Sequence, residues 1–268
     1  MHLSFARRDG RTVLTGRRFT LPLQALEPVD LDGTGAATLF LLNPTGGVLG
    51  GDRLETAVEL GAGSHVCLST PSATRVYRSS GMPATQRTTI QVGEGARLEY
   101  VPDHLILSPG ARLAQRLDLE LASGAAAILA DAWAVGRVAR GEAWRFDLLD
   151  SGIVARDSEG LLFKDRLVLQ GMPGWGGLGG TEGMAYVATV LCFAPAHPRL
   201  RELERAMAER LAARAGEAAV AVTMLARGGV ITRILAATAP ALQALVASAW
   251  AAGRAELWSL PPQLLRKM

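Results

Sequence analysis

LETAVELGAGSHVCLS, residues 54–69, carries the reading of the fold. An alternating run stops at Gly61-Ala62-Gly63 and a second apolar run follows. The same unit returns as TTIQVGEGARLEYV at residues 88–101 and as LDLELASGAAAILA at residues 117–130. Each unit is a strand, a three-residue turn closed by glycine, and another strand. The closing glycine sits where a three-residue hairpin turn requires a left-handed residue. Gly63, Gly95 and Gly124 recur at intervals of 32 and 29 residues. Such a period predicts stacked sheet layers in a β-helix-like arrangement, with a meander sandwich as the plain alternative.

Outward from the repeat the pattern stays strand-like. Leu3 and Phe5 alternate with polar neighbours, Asp9-Gly10 makes a turn, and Val13 and Leu14 begin a return strand. LFLLNPTGGVLGGDR, residues 39–53, is an apolar strand ended by Asn43-Pro44. The pairs Gly46-Gly47 and Gly50-Gly51 follow, and then Asp52. So many glycines imply a backbone path that side chains would block. The stretch is no phosphate loop, because Asp52 stands where Lys and Ser/Thr are needed. From residue 133 to 169 further strands are expected, with turns at Gly136, Gly141, Asp150-Ser151-Gly152 and Ser158-Glu159-Gly160.

The C-terminal third changes period. Leu200, Leu203, Met207 and Leu211 share one face of a helix expected over residues 198–215. Val220, Val222 and Met224 alternate as a strand whose hairpin partner is residues 230–235. A second helix is expected over residues 239–253, capped by Thr238 and covered on both faces because no charge interrupts it. An apolar, proline-broken strap ends the chain and is expected to dock on the body or on a partner. The fold class is therefore mainly β, with β-helix-like stacked sheets and two α-helices in the C-terminal third. Residues 1–268 read as one domain.

Composition excludes several classes. The net charge is +3, and only Lys164 and Lys267 are lysines, so no dense Lys/Arg run marks a nucleic-acid surface. Cys67 and Cys192 form no disulfide framework or CxxC motif, which fits a reducing cytoplasm. The N-terminus lacks a signal-peptide apolar segment. The uncharged residues 234–253 reach membrane-spanning length, but Thr238, Pro240, Gln243 and Ser248 make them a strand end, a turn and a buried helix rather than a membrane span. Gly174, Gly176 and Gly179 match GxGxxG formally, without the strand and helix that a dinucleotide site requires, and read as a mobile loop.

Catalytic signatures are missing: there is no GxSxG, HExxH or P-loop. His65 and Cys67, at i and i+2 of a strand, share a face and suit a late first-row divalent metal, although two ligands make at best a transient site. Asp103-His104 is a weaker pair. Asp52, Glu142 and Asp165 stand beside glycine or arginine. Each either serves a cation passage, pairs with a local arginine (Asp52 with Arg53, Asp165 with Arg166), or caps a turn.

Several blocks resemble the urease accessory protein UreD (UreH) family. They are NPTGGVLGGD at residues 43–52, TPSATRVYRS at 70–79, GARLEYVP at 95–102, Gly136-Arg137 with Gly141-Glu142, and FKDRL at 163–167. The resemblance implies an elongated, two-layered, mainly β fold with a pair of helices, and a non-enzymatic chaperone that binds apo-urease subunits. It also implies recruitment of the accessory proteins UreF and, through it, the GTPase UreG, for nickel insertion in the cytoplasm. No permanent cofactor is implied. Nickel would pass transiently through an internal tunnel, for which Asp52, Glu142 and Asp165 are the candidate lining residues. The positive mean hydropathy of +0.20 fits a protein that hides surface in a complex. A β-solenoid binding module without a metal role and a small hydrolase are the alternatives.

Overall fold

The computed structural model describes residues 1–171, 174–214, 216 and 218–265. Its strands run β1 (His2–Arg8), β2 (Arg11–Arg18), β3 (Gln24–Ala25), β4 (Ala37–Leu42), β5 (Gly47–Val48) and β6 (Arg53–Leu60). Then come β7 (His65–Ser69), β8 (Thr74–Val76), β9 (Ala84–Val92), β10 (Arg97–Tyr100), β11 (Leu105–Leu107) and β12 (Arg112–Leu121). The chain continues with β13 (Ala126–Ala134), β14 (Leu148–Asp157), β15 (Gly160–Leu169) and β16 (Tyr186–Phe193). Helix α1 (Leu200–Ala212), β17 (Ala219–Met224), β18 (Gly229–Ala236) and helix α2 (Ala239–Trp258) complete it.

The repeat builds a parallel solenoid. One sheet has the order β15-β14-β12-β9-β6-β1-β2, and the other β17-β18-β16-β13-β10-β7-β4-β3. In the first, β6, β9, β12 and β14 pair in parallel. In the second, β4, β7, β10 and β13 do the same. Each glycine turn is therefore a corner that carries the chain from one sheet to the other. The hairpin expectation is corrected here: the strands flanking the turn pair with the neighbouring coils, not with each other. The expected left-handed geometry is present, with φ of +66° at Gly63, +60° at Gly95 and +67° at Gly124. The sequence intervals reappear as register, with His65 opposite Arg97 and Arg97 opposite Ala126. Short strands β5, β8 and β11 pair in parallel in that order, and β11 joins them to β13 of the second sheet.

The glycines of residues 46–51 do what their number implied. A Cβ on Gly47 would lie 2.3 Å from the Arg75 carbonyl oxygen, and one on Gly50 2.8 Å from the Ser79 Cα. Coil-to-coil contact at this corner is backbone against backbone. Asn43 closes the turn by donating from Nδ2 to the Gly47 carbonyl at 2.8 Å.

One expected turn is absent. Asp150-Ser151-Gly152 lies inside β14, held by parallel pairing to Ala114, Gln115 and Arg116 of β12. The lack of a side chain at Gly152 makes room for Arg116, whose Cδ would be 3.0 Å from a Cβ there.

Between the sheets an apolar core includes Leu39, Leu68, Leu98, Ile90 and Leu119. A second core fills the opposite end around Val76, Leu107, Leu113 and Phe146. The helices cover the outer face of the second sheet, where Leu203, Met207, Leu211, Leu242, Leu245 and Trp250 bury Ile128, Val190 and Cys192. Helix α1 begins at Leu200, two residues later than expected; Ala215, at the expected end, lies outside the described residues. Helix α2 starts at the expected cap, with Thr238 accepting from the Ala241 amide, but runs on to Trp258. Its coverage is uneven: Gln243, Ala244 and Ala247 are exposed, whereas residues 248–250 and 252–254 are buried. Among the described residues no helix is long and apolar enough to cross a membrane. Residues 174–184 form successive turns rather than a helix; Met172 and Pro173 in that loop lie outside the described residues.

Candidate functional site

Alternation along each strand sends every second side chain between the sheets. Most of these are apolar, but toward one side of the solenoid they turn polar and enclose a cavity of about 210 Å³. Thr56, Gln86, Thr88 and Gln115 line it from one sheet, and Tyr100 and Asp131 from the other. Leu41, Leu117 and Ile153 supply apolar wall between them.

The charged side chains lining this cavity are Asp103, Arg116 and Asp131, and Asp131 bonds across it. Gln115 donates to Oδ1 at 3.0 Å and the Ser151 hydroxyl to Oδ2 at 3.3 Å, both across the gap between sheets. Gln115 also donates to Ser151 at 2.8 Å, closing a triangle. Burial pushes the Asp131 carboxyl above its ordinary range, the two hydrogen bonds oppose this, and the charge of Asp165 adds to the rise. Tyr100 is shifted up by the same burial. An acid with a raised pKa that lines a cavity is a candidate functional group.

The sequence did not single out Asp131. A signal was available: it is the one charged side chain in the run AAAILADAWA at residues 125–134. An acid in the middle of a buried strand is retained only at an energetic cost, so its position was informative.

The three expected carboxylates lie elsewhere, and none is among the residues lining the cavity. Asp52 caps its own turn, accepting from the Leu49 amide at 2.8 Å. Glu142 grips Arg137 through both oxygens, at 2.5 and 2.8 Å, across the short 3-10 turn Val138–Arg140. Asp165 pairs with Arg233 at 2.7 Å. Turn capping and arginine pairing were both foreseen, but the partners differ. Arg166 instead forks onto Asp150, with both bonds at 2.9 Å. Hydrogen bonds from Arg166 and then Arg116 hold the Asp150 carboxyl well below its ordinary range.

His65 and Cys67 share the face of β7 that looks toward the helices. The imidazole Nε2 lies 2.7 Å from Glu99 Oε1, and its ring meets Trp258 edge-on at 5.2 Å. Cys67 is packed in the helix-facing core. Among the described residues, no group of three His, Cys, Asp or Glu side chains could hold a metal ion. His104 bonds Asp103 at 3.0 Å and stands edge-on to Tyr186. Carboxylate partners and ring packing of this kind are what structural histidines show.

Glu99 anchors a larger buried cluster that composition could not reveal. Arg254 of α2 donates to Glu99 at 2.6 Å and to Gln263 at 2.8 Å, and also to Asp32. Trp250 donates to the other Glu99 oxygen. Gln263 in turn donates to Thr38 at 3.0 Å, so the C-terminal strap docks on the body through polar groups. Leu264 beside it is 85% exposed.

The family model described as UreD urease accessory protein matches residues 1–267. A urease accessory protein UreD of Cupriavidus pinatubonensis is 34% identical over 270 residues, covering 99% of this chain and 92% of that protein. One from Haloarcula marismortui is 34% identical over 275 residues, covering 100% and 89%. One from Dechloromonas aromatica is 41% identical over 151 residues, covering 55% and 52%.

Proposed function

The chain belongs to the UreD urease accessory protein family, and from that premise we propose that it acts without enzymatic chemistry of its own, as a scaffold in urease maturation. It binds apo-urease subunits and brings UreF and the GTPase UreG to them in the cytoplasm. It passes nickel transiently through the space between its sheets and keeps no cofactor. The observation that carries this reading is the cavity between the sheets that Asp131 lines. Two carboxylates, Asp103 and Asp131, line the cavity beside Arg116; they attract a divalent ion yet supply too few ligands to trap it.

In this reading Asp131 is the cation contact within the passage. Asp52 and Glu142 hold local turns and do not line it. Asp165 belongs to the route electrostatically, because its charge acts on Asp131.

The test is urease expressed with all its accessory genes, comparing wild type with Asp131→Asn and with deletion of this gene. Deletion is expected to leave urease assembled but nickel-poor. Asp131→Asn, which keeps the shape and the Gln115 and Ser151 neighbours, is expected to lower nickel content about tenfold or more. Full loading in the deletion strain overturns the maturation role. Full loading in Asp131→Asn alone overturns the passage assignment and leaves the scaffold role standing.

A further inference from the structure

Where the coils turn from one sheet to the other, a second cavity of about 310 Å³ opens between the Gly63 and Gly95 corners, Thr34 and Leu260. Its charged lining is Arg7 of β1 and Arg97 of β10, with the His65 imidazole of β7 beside them, and among the described residues no Asp or Glu lines it. The two arginines come from strands far apart in sequence and converge because the N-terminal hairpin pairs against β6.

Neither guanidinium is saturated by the contacts described for it. Arg7 donates from one nitrogen to the Gly63 carbonyl at 3.1 Å. Arg97 lies over the Trp258 ring at 5.9 Å, a contact that orients the group without using its N–H donors. Glu99, the acid nearest Arg97 along its strand, is committed to His65, Trp250 and Arg254. Burial and the repulsion of Arg7 together hold the Arg97 pKa below its ordinary value. A concave site thus gathers like charges and leaves planar donor forks unfilled. A bound oxyanion relieves both, since such forks match its paired oxygens.

We propose that this corner cavity binds a small oxyanion, a phosphate or a carboxylate group, between Arg7 and Arg97. The site lies at the corner end of the coils and shares no lining residue with the cavity around Asp131.

The test titrates the purified full chain with inorganic phosphate and, separately, with acetate. Sodium chloride holds ionic strength constant, and binding is read by calorimetry and by melting temperature. Saturable binding of at least one anion is expected, with a rise in melting temperature, weakened about tenfold in Arg7→Gln and in Arg97→Gln. Tighter binding of phosphate assigns the site to phosphate, and tighter binding of acetate assigns it to a carboxylate. Because Arg97→Gln also loses its contact with Trp258, Arg7→Gln is the variant that decides. No saturable binding of either anion overturns the proposal, as does equal affinity in wild type and Arg7→Gln.

Discussion

Glu99 and Arg254 are 155 residues apart in the chain, yet they form an ion pair at 2.6 Å with both side chains fully shielded from water. The pair joins β10 to α2. Through Gln263 and the Pro261 carbonyl, it also fixes the strap to the body. Buried pairs of this kind add little net stability over apolar packing, but losing one partner strands a charge.

Arg254→Met is therefore expected to cost about 3–5 kcal/mol in denaturant unfolding. It should also release residues 259–265 to faster proteolysis, because Arg254 is what the Gln263 side chain and the Pro261 carbonyl hold. A loss below about 1 kcal/mol, with unchanged cleavage, would show that Glu99 finds another partner.

Asp131→Asn is expected to separate stability from nickel transfer. The folded-state pKa of Asp131 is raised above its ordinary 3.8, so the acid favours folding when protonated and opposes it as pH rises through the folded value. Asparagine removes that opposition. The variant should be at least as stable as wild type near neutral pH, with the difference vanishing below the ordinary value. Denaturant midpoints across pH check this, and a variant less stable at neutral pH would contradict a buried, raised acid.

Asp150 has the opposite sign. Its folded pKa is depressed by Arg166 and Arg116, so its contribution is present above the ordinary 3.8 and lost as pH falls toward the folded value. Asp150→Asn should destabilise the protein near neutral pH and leave it level with wild type in strong acid, as read by melting temperature against pH. An equal deficit at every pH would point to lost packing instead.

Asp165→Asn is expected to lower the Asp131 pKa, since Asp165 contributes to its rise. A carboxyl carbon NMR titration of Asp131 in both proteins measures the shift directly. An unmoved or higher midpoint would separate the two acids.

Gly47→Ala should be far more damaging than Gly51→Ala. At Gly47 the new Cβ meets the Arg75 carbonyl at 2.3 Å, so β5 must leave β8. At Gly51 there is open space and only the positive φ of +86° to oppose it, worth roughly 1–2 kcal/mol. Melting temperatures of the two variants rank the effects, and similar losses would refute the close-approach account.

Local signals were reliable where local physics decides. Glycine with left-handed geometry ended each corner, Thr238 capped its helix, and alternation marked the strands. Asp150-Ser151-Gly152 reads as a turn from residue type alone, yet extended pairing with β12 overrides that preference. Arginine partners were misassigned for the same reason. Asp165 and Arg166 are neighbours in the chain but point to opposite sides of a strand, so each finds a partner on another strand, Arg233 and Asp150.

From the sequence alone came the coil interval, the β class, the approximate positions of both helices and the blocks that resemble the UreD family, because each is written in spacing or residue type. Only the tertiary structure decided that a corner joins two sheets, that Asp131 faces a polar space, and that Glu99 meets Arg254. Those relations depend on which coil lies beside which, and pairing between distant segments leaves no mark on either segment by itself.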